Sequence, residues 1–163
     1  MVLQLSMAQR QSLSHHGQST YPEECCGLLL GTLAADGAPR TVQHIQPLRN
    51  QWVPAVQTVT DPHGAAALGD VKGDPSRRRR YWIDPKDLLT AQRDARDRHW
   101  VILGIYHSHP DHPAVPSECD RALAWPEYSY VILSVVQGTV VDCQSWRLDH
   151  QHQFQPEPIQ AKD

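Results

Sequence analysis

Residues 100–109, "WVILGIYHSH", constrain this chain more than any other stretch. They begin as an apolar run rich in β-branched residues and end on two alternating histidines. A run of this kind suits a strand covered on both faces, in the middle of a sheet, that delivers its last residues to the sheet's edge. Side chains two apart on a strand project to one side, so His107 and His109 can converge on a single point. On a helix they would stand about 200° apart.

The rest of the chain supplies a sheet and helices around that strand. Residues 2–5 alternate like a short strand, and Ser6 is placed to cap a helix with Met7 and Leu13 inward, running to about Thr20 and stopped by Tyr21-Pro22. "CGLLLGTLA" (26–34) and "RTVQHIQPL" (40–48) flank "ADGAP" and read as a hairpin. "RYWID" (80–84) reads as a short strand. Asp84-Pro85 then opens a helix to about His99, with Leu88, Leu89 and Ala95 inward. A Pro-rich turn, a short helix from Ser117 to about Ala124 and two strands, "YSYVILSVV" and "TVVDCQSWRL", follow. Residues 149–163 read as a loosely docked C-terminal tail. The expected fold class is α/β, with a mixed sheet and helices packed on it.

At 163 residues the chain suits one domain. Residues 51–79 carry prolines, glycines and small residues without a period, and are expected to form a long insertion loop, either a substrate lid or passive. A net charge of −3 argues against nucleic acid or an anionic membrane as partner. Arg77, Arg78, Arg79 and Arg80 are the local exception, read as a solvated loop edge rather than a phosphate patch. No signal peptide or 18-residue apolar stretch occurs, so a cytoplasmic protein is expected. The four cysteines, two of them adjacent, have no framework spacing and read as reduced thiols.

By residue type, an H-x-H pair is compatible with a metal site, a proton relay or a polar loop. Zinc suits imidazole, and a catalytic zinc commonly has three protein ligands and an open position. Asp120 is the nearest third ligand, yet Ser117 and Asp120 also fit a helix-capping box, S-x-x-[DE], and spacing does not choose between them. His112 could join the two histidines, but Pro110 and Pro113 fix the turn so that it faces solvent. A hydrolytic site also needs a base, and Glu23 and Glu24, before an apolar strand, are candidates.

With these residues in view, the sequence resembles the JAMM/MPN (Mov34/PAD-1) zinc metallopeptidases, small bacterial branch. The pattern E…H-x-H-P-x6-S-x-x-D is complete in Glu24, His107, His109, Ser117 and Asp120. "YPEECCGLLLG", "RYWIDPKDLL" and "AWPEYSYVILSV" extend the likeness over residues 1–148. The resemblance implies a single MPN-type, cytidine-deaminase-like domain with a curved mixed sheet flanked by helices. It implies that His107, His109 and Asp120 hold one zinc ion, that Glu24 is the general base, and that Ser117 hydrogen-bonds the developing oxyanion. Glu24 is preferred over Glu23 because the family places the base three residues before the glycine, here Gly27.

Cys119 sits at a spacer position and reads as a buried apolar residue, as do Cys25 and Cys26. Tyr106 and Trp125 read as core. The implied reaction is hydrolysis of a peptide or isopeptide bond at the diglycine tail of a small ubiquitin-like or sulfur-carrier protein, the tail lying along an exposed strand beside the zinc. Homodimerisation is left open. The competing readings are a non-catalytic MPN scaffold that binds a protein partner and a nucleic-acid-associated protein.

Overall fold

The computed structural model describes residues 1–33, 38–53 and 76–162. Within them lie β1 (Leu3–Leu5), α1 (Met7–Thr20), β2 (Cys26–Thr32), β3 (Arg40–Leu48), α2 (Pro85–Asp97), β4 (Val101–Pro110), α3 (Glu118–Leu123), β5 (Ser129–Val136), β6 (Thr139–Leu148), β7 (Phe154–Glu157) and β8 (Ile159–Ala161). The strands form a mixed sheet in the order β7-β6-β5-β4-β2-β3-β1-β8, with α1 and α2 packed on its two faces. The architecture is α/β, as expected. No helix among the described residues is long and apolar enough to cross a membrane.

β4 is central, antiparallel to β2 on one side and parallel to β5 on the other. Two apolar faces demand two apolar rows. One row, Leu103 and Tyr106, packs with Leu13 of α1, Leu29, Val131 and Leu133; the other, Ile102 and Ile105, packs with Leu28, Leu30, Ala91 and Ala95. Leu103 and Tyr106 are three apart, and strict alternation would oppose them. The register shift where Leu29 pairs Gly104 but Leu30 pairs Ile102 adds one residue to β4 and restores both rows. Downstream of it, His107 and His109 continue the row of Ile105.

The helices begin where their caps place them. Ser6 and Gln9 form a capping box, the Gln9 amide donating to Ser6 Oγ at 3.2 Å and the Ser6 amide to Gln9 Oε1 at 2.8 Å. Asp84 accepts from the Lys86 amide at 2.8 Å, with Pro85 at the first helical position. The buried faces differ from the sequence reading at two positions. Met7 is exposed because it lies about 120° around α1 from the buried Leu13. Leu89 is exposed because it lies about 200° from Ala91, whereas Leu88 shares the buried side.

Three other expectations need correction. Residues 80–84 join no ladder, since β4 is already paired on both sides; the Trp82 carbonyl instead accepts from the Gln51 amide at 3.0 Å. Trp125, expected in the core, is 43% exposed. Residues 149–162 are no loose tail: β7 pairs β6, and β8 pairs β1 in parallel, so this segment supplies both edges of the sheet. Pro156 and Pro158 obscure the strand signal, and edge strands are where proline is tolerated. Most of the expected loop at 51–79, residues 54–75, lies outside the described residues, and with it the question of a lid.

Candidate active site

The end of β4 and the start of α3 meet at three side chains. His107 Nε2 lies 3.2 Å from Asp120 Oδ1, His109 Nε2 lies 3.3 Å from Asp120 Oδ2, and the two Nε2 atoms are 3.2 Å apart. One ligand atom from each residue fits within a 4.8 Å cluster. Ligands at ~2.0–2.1 Å from a tetrahedral zinc stand about 3.3–3.4 Å from one another, so the triangle has the size such an ion requires. The donor set of two imidazoles and a carboxylate also suits zinc.

Each of the three side chains is held by its surroundings. His109 Nδ1 contacts the Pro113 carbonyl at 2.8 Å; donation to that carbonyl leaves the Nε2 lone pair facing the cluster. His107 is fully buried and stacks on Tyr81, centroids 4.5 Å apart and planes 23° off parallel. Burial pushes the His107 imidazole down, against the pull of Asp120. Burial alone would raise Asp120, but the two histidines outweigh it and hold its carboxyl well below the usual range. Neutral imidazoles and an ionised carboxylate are the forms that bind a metal.

Ser117 and Asp120 fulfil the capping alternative and the convergence together. The Asp120 amide donates to Ser117 Oγ at 3.1 Å, the Ser117 amide donates to Asp120 Oδ2 at 2.6 Å, and Ser117 Oγ–H donates to the same oxygen at 2.7 Å. The box both starts α3 and orients the carboxylate toward the histidines. The Pro-rich turn between the two elements is fastened at its carbonyls: Ser134 Oγ donates to His112 O at 2.7 Å and Trp146 Nε1 to Ala114 O at 3.0 Å. Asp111 opens the turn in the left-handed region, φ 57°, and accepts from Tyr21 Oη at 2.7 Å.

Glu24 reaches the site because β2 runs beside β4. Cys26 is in register with His107, and two bonds extend the pairing: the Ser108 amide donates to Cys25 O at 3.2 Å, and the Cys25 amide to Ser108 Oγ at 2.8 Å. Gly27 permits this approach, since a Cβ there would lie 2.4 Å from the Tyr106 ring. Glu24 is only 4% exposed and lines a cavity of about 540 Å³ together with His109 and Ser117. Burial, followed by the charge of Asp120, pushes the Glu24 carboxyl well above its ordinary value, with Arg80 and Arg79 opposing. Glu23 is half-buried and does not line the cavity.

Sequence reasoning missed several residues here. Ser108 faces away from its histidine neighbours to clamp Cys25. Asn50 is buried, donates to Glu24 O at 3.1 Å and Arg80 O at 2.9 Å, and accepts from the Trp52 and Trp82 amides at 3.0 and 3.2 Å. No local motif signals it. Within the arginine run Arg78 and Arg79 are exposed, as a solvated loop edge would be, while Arg78, Arg79 and Arg80 also line the cavity and Arg79 hydrogen-bonds His112, which is exposed as expected. Strand addition to β4 is blocked, because both of its sides are paired.

Cys119 is buried, and burial pushes its thiol up to about 11, so it stays protonated at neutral pH. Cys25, Cys26 and Tyr106 are buried too.

A family model described as prokaryotic homologs of the JAB domain matches residues 7–149. A desampylase of Haloferax volcanii is 30% identical over 137 residues, 81% of this chain and 80% of that protein. A CysO-cysteine peptidase of Mycobacterium tuberculosis is 26% identical over 134 residues, 82% of this chain and 73% of the relative. Among solved structures, a protein from Desulfitobacterium hafniense has a TM-score of 0.73 at 32% identity, covering 99% of this chain and 94% of its own. A JAB1/MPN domain protein from Archaeoglobus fulgidus has a TM-score of 0.51 at 12% identity, over 100% of this chain and 97% of the other, a likeness of fold alone.

Proposed function

This chain belongs to the family of prokaryotic homologs of the JAB domain, and we propose that it is a zinc-dependent hydrolase that cuts a peptide or isopeptide bond at the diglycine tail of a small ubiquitin-like or sulfur-carrier protein. The observation that carries the reading is the convergence of His107, His109 and Asp120 beside the buried Glu24. The names of two relatives, a desampylase and a CysO-cysteine peptidase, support removal of a group from such a carrier.

His107, His109 and Asp120 would hold the zinc ion. Bound there, zinc supplies Lewis acidity to a carbonyl and lowers the pKa of a water to about 7. Glu24 accepts a proton from the attacking water as its oxygen adds to the carbonyl carbon. Ser117 Oγ–H turns from Asp120 to the carbonyl oxygen as negative charge grows on it. Glu24 then passes its proton to the amine nitrogen as the C–N bond breaks, leaving a carboxylate on the carrier and a free amine. The raised pKa of Glu24 suits both directions of this transfer. The residues of this mechanism lie within 1–148, and the C-terminal strands complete the sheet that carries them.

Cleavage of a carrier conjugate by zinc-loaded protein, wild type and Glu24→Gln, tests the proposal. The variant is expected to bind one zinc and lose activity by at least ~100-fold. Cleavage by Glu24→Gln at the wild-type rate would remove Glu24 from the mechanism. Wild-type protein that purifies without stoichiometric zinc and cleaves no conjugate would favour a scaffold.

A further inference from the structure

The mechanism leaves unused the arginine wall of the cavity. Arg78, Arg79 and Arg80, consecutive in the chain, line it together with Glu24. Their backbone is clamped to Glu24 at both ends. The Glu24 amide donates to Arg77 O at 2.7 Å, and Asn50 Nδ2 bridges Glu24 O and Arg80 O at 3.1 and 2.9 Å. Arg77 itself turns away, its Nε donating to Trp52 O at 2.9 Å.

Three guanidiniums on one wall call for anionic partners. Among the described residues no carboxylate forms a salt bridge with any of them, although Arg78 lies close enough to Asp111 for its charge to act on that carboxyl; Glu118, which also lines the cavity, pairs with Arg121. Arg79 contacts the ring nitrogen of His112, and Arg80 Nη1 donates to the Arg79 carbonyl at 2.8 Å. Both arginines lie close enough to Glu24 for their charges to act on its carboxyl.

We propose that Arg78, Arg79 and Arg80 form a carboxylate-binding subsite for the leaving residue, so that the enzyme removes a residue whose carboxylate lies beside its amine. The inference rests on the hydrolase reading, in which Glu24 delivers its proton to the leaving amine. In an α-amino acid the carboxylate carbon is about 2.5 Å from the amine nitrogen, so the group that follows the scissile bond brings its charge directly to this wall. A lysine ε-amine would bring an aliphatic stem instead. Guanidinium forks match carboxylates in bidentate geometry. An acidic side chain on the leaving residue offers the same chemistry.

The test uses labelled peptides ending in Gly-Gly-Ala as free acid, Gly-Gly-Ala as C-terminal amide, and Gly-Gly-Asp as amide, with binding to metal-free protein read by fluorescence anisotropy. The free acid is expected to bind roughly 10- to 100-fold more tightly than the alanine amide. Arg79→Gln/Arg80→Gln is expected to reduce that ratio to about 2-fold, and Arg79→Lys/Arg80→Lys to retain part of it. A Gly-Gly-Asp amide that binds like the free acid assigns the subsite to a side-chain carboxylate, and one that binds like the alanine amide assigns it to the α-carboxylate. Equal binding of acid and amide, no binding of either at millimolar concentration, or a ratio that survives the glutamine variant overturns the inference.

Arg78→Gln, at an exposed position, repeats the test if the double variant fails to fold. Cleavage assays on zinc-loaded protein separate the two claims. Efficient cleavage with no acid preference leaves the hydrolase reading standing and overturns the subsite; acid-selective binding without cleavage does the reverse.

Discussion

Ser117 Oγ–H donates to Asp120 Oδ2 at 2.7 Å while the Asp120 amide donates to Ser117 Oγ at 3.1 Å, so the cap of α3 and the carboxylate facing His107 and His109 are one unit. On the proposed mechanism the pair makes a single hydroxyl answerable to folding and to chemistry.

Glycine is a good N-cap and alanine is not, which lets the two roles be separated. Ser117→Gly is expected to cost only a few tenths of a kcal/mol in denaturant unfolding while turnover falls about 10²-fold or more. Ser117→Ala should add a stability loss of ~1 kcal/mol. Asp120→Ala should lose zinc altogether, measured as metal content after gel filtration. Wild-type turnover in Ser117→Gly would confine the hydroxyl to capping.

Glu24 makes stability depend on pH in metal-free protein. Its folded-state pKa is raised above the ordinary 4.5, chiefly by burial and then by Asp120. Below 4.5 both states are protonated and its stabilising contribution is complete; as pH rises, the unfolded chain ionises first and that contribution is lost up to the folded pKa. Glu24→Gln should therefore gain in Tm relative to wild type between pH 4 and pH 8. Every tenfold difference in proton affinity between the folded and unfolded chain is worth about 1.4 kcal/mol. A Tm difference that stays flat across this range would show that Glu24 is hydrated in solution.

Tyr81 stacks on His107 with centroids 4.5 Å apart and fixes the ring that presents Nε2 to the cluster. Tyr81→Ala should weaken zinc by about 10-fold in competition with a chelator, within the range seen when a ligand's support is removed. Tyr81→Phe keeps the ring and should bind zinc like wild type. Weakening of equal size in both variants would point to the hydroxyl instead.

Asn50 holds two carbonyls with one amide, those of Glu24 and Arg80. Asn50→Asp replaces both N–H donors with an acceptor and leaves two carbonyls unpaired at a buried point. We expect a loss of about 2–4 kcal/mol in denaturant unfolding, from one to two unsatisfied groups at ~1–3 kcal/mol each. Zinc content should be kept, because none of the three ligands touches Asn50. A variant as stable as wild type would mean that water replaces the amide.

Much of the fold was legible because it follows local rules. The caps at Ser6, Asp84 and Ser117 and the apolar runs of β2, β4 and β5 set those elements in the sequence. What misled was position on a surface: Leu89 and Trp125 look like core residues, yet helix phase and loop path leave them exposed. Pro156 within β7 and Pro158 between β7 and β8 hide edge strands, since an edge needs only half the backbone bonds of a central strand.

The sequence by itself determined the chemistry available: two imidazoles on one side of a strand end, a capping serine and aspartate, and a glutamate before an apolar strand. Strand geometry makes the histidine pair a local property, because side chains two apart share a face. Only the tertiary structure decided that Glu24, Asn50, Tyr81 and the arginine run meet them. Those residues come from segments with no periodic relation to β4, and what joins them is the register of β2 against β4 and hydrogen bonds across dozens of positions.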